Sequence, residues 1–127
     1  MAEALAISQV ALLSRAYNVP VYFPHIGSRA AIQALREARA CRTNFIAETG
    51  PHYLTLTTDC KAGVLAKVMP PIRTPDDQRA VWQALQEGLI ETIGSDHVAF
   101  TLSEKTPPTS GPPGRHFPGP DSSFRCC

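Results

Sequence analysis

The chain has 127 residues, enough for one domain or part of one. Apolar residues make up 43% and charged residues 18%, the balance of a globular protein. Twelve basic against eleven acidic side chains leave a formal charge of +1, which excludes a nucleic-acid footprint and a polybasic membrane patch, and no apolar run approaches the ~18 residues of a membrane span.

The first stretch, residues 2–17, has helical periodicity. Leu5, Leu12 and Ala16 share one face, and Ile7, Val10 and Leu13 widen it, so a largely buried helix is expected. Glu3 stands where a secretory leader needs a basic residue, which favours a cytoplasmic protein. Free thiols are then expected at Cys41, Cys60, Cys126 and Cys127, none of which forms a C-x-x-C pair. Asn18 and Pro20 end the helix.

Val19, Val21, Tyr22 and Phe23 form a short apolar run, which suits a strand covered on both faces in a parallel sheet. Ser28 is a good N-cap for a second helix, "RAAIQALREARACR", with Ile32 and Leu35 inward beside Ala31 and Ala38. Its solvated face carries Arg29, Arg36, Glu37 and Arg39. "NFIAET" is a second strand candidate, broken by "GPHYL", and an irregular stretch runs over 55–74. Thr74 as N-cap, Pro75 at the first helical position and Asp77 as capping-box acid predict a third helix. Val81, Trp82, Leu85 and Leu89 form its buried stripe, and Gly88 its stop. "LIETIGSDH" is the third strand candidate. Strands alternating with helices of this length indicate parallel βα units, hence an α/β fold.

From Thr106 the composition changes. The segment 106–127 holds six of the twelve prolines and no Ala, Leu, Ile, Val or Met. It cannot bury enough apolar surface to offset its ordering entropy, so a disordered tail is expected after a folded part over 1–105.

In parallel α/β folds, ligands bind beyond the carboxyl ends of the strands. The first candidate strand ends in His25, the second in Glu48 with His52 beyond it, and the third in Asp96 and His97. Each has a plain structural alternative: a turn histidine, a turn-capping Asp96, a salt-bridging Glu48, a solvated Arg73. Three convergent ends favour a site. Carboxylate and imidazole together suit a divalent metal such as zinc, which activates water and polarises a carbonyl, with an aspartate to move the proton.

The stretches "PVYFPHIGSRAAIQALREAR", "AETGPHYLTLT" and "KVMPPIRTPDDQRAVWQALQEGLIETIGSDHVAFTLSEK" resemble the cyclic amidohydrolases, the family of dihydropyrimidinase/hydantoinase, allantoinase and dihydroorotase. The resemblance runs in order over about residues 3–105. It implies the last strands and helices of a (β/α)8 TIM-type barrel with a two-metal, usually zinc, centre that opens cyclic amide or ureide rings at a C–N bond. Carried over, His25 and Asp96 are metal ligands, and Asp96 also shuttles the proton to the leaving nitrogen. His52 is a supporting residue and His97 lines the site. Met69 and Pro70 belong to the loop that presents backbone groups to the ring, with Arg73 following.

The departures are specific. The family's H-x-H, bridging carboxylated lysine and a further histidine are missing; Lys61, Lys67 and Lys105 fall elsewhere. Met69 replaces a polar residue, and Pro24 a small apolar one before His25. A barrel needs about 250 residues, so the chain is expected to be a fragment, inactive alone, with a reading-frame shift near Thr106. Alternatives within the resemblance are the allantoinase or dihydroorotase branch and a non-catalytic, dihydropyrimidinase-related assembly protein. "SDHVAFTLSEK" and "TGPHYLTLT" lean toward the hydantoinase/dihydropyrimidinase branch. A homo-oligomer is expected of the full-length family member.

Overall fold

The computed structural model describes residues 2–61, 66–97 and 99. The expectations for 106–127, including the folded boundary at 105, the frame shift and Cys126–Cys127, lie outside the described residues. The elements run α1 (Ala2–Tyr17), β1 (Val21–Phe23), α2 (Arg29–Ala40), β2 (Phe45–Thr49), α3 (Pro51–Thr55), α4 (Pro75–Gln86) and β3 (Thr92–Ile93). The strands are parallel in the order β1-β2-β3, with Tyr22 beside Ile46 and Glu48 beside Thr92. Parallel neighbours need a crossover, and α2 and α4 supply it.

The sheet is two-faced. Phe23, Phe45, Ala47 and Thr49 point into a core shared with Ile7 and Ala11 of α1, Ile32 and Leu35 of α2, and Val81 and Ala84 of α4. Phe23 and Phe45 meet edge to face at 5.7 Å between ring centres. The other face carries Tyr22, Ile46, Glu48 and Thr92, and Tyr22 and Ile46 are 49% and 47% exposed. The expected cover on both faces is therefore corrected to cover on one. Alternation explains it: the inward positions of β1 and β2 are apolar up to the buried Thr49, whereas the other face breaks to Glu48 and Thr92.

The cap signals are realised. Ser28 accepts from the Ala31 amide at 3.1 Å, and Thr74 and Asp77 form a reciprocal capping box. Asp77 also accepts from the Arg29 amide at 2.8 Å, so one carboxylate caps both α4 and α2. Glu3 adds a third fastening, accepting from the Ser28 hydroxyl at 2.8 Å and the Gly27 amide at 3.3 Å. Three helix starts are thus tied together just behind the end of β1.

Other expectations change. Only Ile7, Ala11 and Ser14 of α1 are buried; Leu5, Leu12 and Leu13 face outward, because the helix is apolar around most of its circumference and the core takes a narrow stripe. Trp82 is half exposed, with its indole N–H donating to the Leu54 carbonyl at 2.9 Å, and Ala84 takes the inward place. "PHYLT" is a helical turn rather than a break, started by Pro51. The third strand shrinks to Thr92–Ile93. Arg36 and Arg39 are not simply solvated: they pair with Glu87 at 2.7 Å and Glu91 at 3.2 Å. Cys41 and Cys60 are free thiols.

Burial pushes the Asp77 carboxyl up. The Thr74 hydroxyl, the Arg29 and Thr74 amides and the Arg73 charge together outweigh it and hold Asp77 below its ordinary value. A depressed folded-state pKa stabilises fully above the unfolded value near 4, and the gain is lost as pH falls through the folded value. Asp77→Asn, which keeps one acceptor oxygen of two, should cost about 1–2 kcal/mol at neutral pH. Its urea midpoint should also fall less than wild type's between about pH 5 and pH 3. Thr49→Val removes the hydroxyl that donates to the buried Ile26 carbonyl at 2.7 Å. About 2 kcal/mol should be lost, read as a lower urea midpoint at unchanged slope.

Candidate functional site

The three strand ends open on one rim because the strands are parallel and adjacent. The rim is laced beyond the strands. The Ile26 amide donates to the Glu48 carbonyl at 2.8 Å, and the Gly94 amide donates to the Thr49 carbonyl at 3.0 Å. His25 precedes the first lace and Asp96 follows the second. Both have left-handed backbones, φ 46° and 47°, uncommon for residues other than glycine. Asn18 and Arg42 share that conformation, but they follow α1 and α2, where it closes a helix. After a strand no such closure is needed, and strained residues of this kind cluster at functional sites.

His52 sits on α3 at the end of β2 and is 1% exposed. Its ring lies 4.1 Å from that of Tyr53, centre to centre. Burial lowers its pKa; the Asp96 charge acts in the opposite sense, and His25 acts with burial. The charges of His25 and Asp96 thus both reach His52. Burial favours the neutral imidazole of His52, a hydrogen-bonding partner rather than a charge.

Tyr53 supports this group from below. Its phenol is driven well above its ordinary value, by burial first and then by the charges of Glu3 and Asp96. It donates to the Pro70 carbonyl at 2.7 Å, which ties the Met69–Pro70 loop to the rim. Its ring occupies the space a Cβ on Gly27 would need. Gln78 and Trp82 of α4 both donate to the Leu54 carbonyl, at 3.0 and 2.9 Å, and so fix α3.

The remaining expected residues are less central. Met69 is exposed, with its backbone in a cis peptide to Pro70. Arg73 is half-buried; its charge reaches Tyr53 and Asp77, and its carbonyl accepts from the Thr58 amide at 2.9 Å. His97 is exposed, and its amide donates to the Ser95 hydroxyl at 3.3 Å. Among the described residues no group of three or more His, Cys, Asp or Glu side chains could hold a metal ion. No described helix is long and apolar enough to cross a membrane.

Sequence reasoning passed over a second polar group, on the open face. The Tyr22 hydroxyl donates to Glu48 Oε2 at 2.6 Å and lies 3.2 Å from Thr92 Oγ1. The bond to Glu48 raises the Tyr22 pKa. The Glu48 carboxylate fills the place of a Cβ on Gly94, two residues before Asp96. A partial signal was present in Gly94, directly after Ile93, where the Glu48 side chain lies on the backbone.

No protein-family model matches the chain. Dihydroorotase from Geobacter sulfurreducens is 37% identical over 106 residues, 82% of this chain and 25% of that protein. Dihydroorotase from Trichlorobacter lovleyi is 35% identical over 107 residues, 83% and 25%. Among solved structures, L-hydantoinase (dihydropyrimidinase) from Arthrobacter aurescens superposes with a TM-score of 0.74 at 31% identity, covering 82% of this chain and 24% of that one. The chain thus spans about a quarter of the length of the relatives it matches. Dihydroorotases matching its sequence and hydantoinases matching its parallel βα frame together support the cyclic amidohydrolase family for this segment.

Proposed function

We propose that this chain is a segment of a metal-dependent hydrolase that opens cyclic amide rings, of the dihydroorotate, dihydropyrimidine or hydantoin kind, by C–N bond hydrolysis. The observation that carries the reading is the pair His25 and Asp96, both left-handed, on one rim and both felt by His52. The parallel β1-β2-β3 order supports assigning the segment to a β/α barrel, with the face of Tyr22, Ile46 and Glu48 turned to the barrel interior. The partner is a small cyclic amide or ureide. The near-neutral charge favours no nucleic acid, and we place the protein in the cytoplasm.

Zinc is the metal this reading implies, and it takes three or four protein ligands. The described donors do not meet that count, so they do not fit a complete site by themselves. In this reading His25 and Asp96 are two ligands of a set completed by other residues. The Asp96 carboxylate also carries a proton to the departing ring nitrogen. His52 holds the rim without adding charge, and the Met69–Pro70 loop, with Arg73, borders the ring. His97 lines the outer edge. The lean toward the hydantoinase branch is balanced by the dihydroorotases among the sequence relatives, and all three ring types remain substrates to assay.

Two measurements test this. The isolated chain, supplied with zinc, should bind no stoichiometric metal and open none of dihydroorotate, dihydrouracil or hydantoin; ring opening with one or more bound zinc ions would overturn the fragment reading. Grafted over residues 2–97 in place of the matching segment of the Arthrobacter L-hydantoinase, it should restore ring opening. Asp96→Asn should then lower kcat by about 100-fold or more. A folded, zinc-loaded chimera indifferent to that change would sink the role of Asp96.

A further inference from the structure

Glu48, near the end of β2, takes a phenol as its partner. Among the described residues no Lys or Arg side chain pairs with it. The Tyr22 hydroxyl donates to its Oε2 at 2.6 Å. A phenol has one proton, so toward the Thr92 hydroxyl, 3.2 Å away, Tyr22 can only accept. Thr92 also reaches the Ala47 carbonyl at 3.3 Å. The three strands thus contribute one directed chain, from Thr92 to Tyr22 to Glu48, and it ends on a carboxylate with a fixed place.

That place is against Gly94. The carboxylate occupies the space that a side chain at 94 would need. Gly94 is not required for its own backbone: among the described glycines only Gly88 has a left-handed φ. What the position requires is a bare Cα beside Glu48. A freely solvated glutamate would need no glycine opposite it. The Gly94 amide is bonded to the Thr49 carbonyl at 3.0 Å, and Asp96 follows two residues later with a φ of 47°. The turn that presents Asp96 is therefore held along the sheet by Thr49 and from the open face by Glu48.

We propose that Glu48 is a positioning residue for Asp96: its carboxylate, aimed by the Tyr22 hydroxyl, packs on Gly94 and holds the turn that brings Asp96 to the rim. The contact does not depend on the proposed activity; its consequence for catalysis rests on the reading in which Asp96 carries the proton.

Hydrogen exchange of the full chain, followed by NMR, decides the contact. The Gly94 amide should exchange at least about tenfold faster in Glu48→Ala and about threefold faster in Tyr22→Phe, while Ile32 and Leu35 of α2 keep their rates. Glu48→Gln, which keeps the length and an acceptor oxygen for Tyr22, should stay within about twofold of wild type. Gly94→Ala displaces the carboxylate and should match Glu48→Ala, and the double variant should be no faster than either alone. An unchanged Gly94 rate in Glu48→Ala overturns the proposal. So does an equal rise at Ile32 and Leu35, which marks a general loss of stability, or a double variant in which the two effects multiply.

In the hydantoinase chimera, Glu48→Ala should lower kcat about tenfold or more with KM and zinc content unchanged, and Glu48→Gln should restore it. An active chimera whose kcat ignores Glu48→Ala overturns the positioning role. An unsubstituted chimera that opens no ring sinks the ring-opening reading instead, and the exchange rates then decide on Glu48.

Discussion

Thr49 is the residue on which the rim depends. It has no exposed surface; its hydroxyl donates to the Ile26 carbonyl and its own carbonyl accepts from the Gly94 amide. One residue thus joins the turn after β1 to the turn after β3, across the end of β2. A buried threonine held at both ends is rigid, since its χ1 is restricted and each polar group has a partner. The pair His25 and Asp96 inherits its spacing from these bonds, because each lies within two residues of a laced peptide.

The left-handed backbones become intelligible on that basis. A non-glycine residue in that region costs on the order of 1 kcal/mol and persists only where its surroundings fix it. For His25 the fixing group is the Ile26 amide on Glu48; for Asp96 it is Gly94 on one side and the Ser95 hydroxyl bound to the His97 amide on the other. Behind them, Glu3 and Asp77 fasten the start of α2, so the turn bearing His25 cannot relax outward.

Most of the frame was legible because its signals are local. Ser28, Thr74, Pro75 and Asp77 announce helix starts through bonds within four residues, and all of them are realised. Strand ends were legible because parallel order follows from alternation of helix and strand. What escaped depends on partners far away in the chain. The inward stripe of α1 could not be chosen from a helix apolar nearly all round; only packing selects Ile7 and Ala11 over Leu5 and Leu12. Trp82 looked like core by spacing, but its indole N–H is better satisfied at the edge, on Leu54, 28 residues away. The Tyr22–Glu48–Thr92 group spans three strands, and its members lie too far apart in sequence for spacing to join them; Gly94 is its one local trace.

The two faces of the sheet separate stability from chemistry. The helix-covered face is apolar up to the buried Thr49, whose hydroxyl is satisfied by Ile26, and carries the core. The open face changes from Ile46 to Glu48 within one pleat, and Glu48 points at the backbone that leads to Asp96. Polar groups on a covered apolar face would each need a buried partner or incur a desolvation cost. Set on the open face, Tyr22, Glu48 and Thr92 satisfy one another at the mouth of the rim. They can carry charge toward the site without weakening the core that holds it.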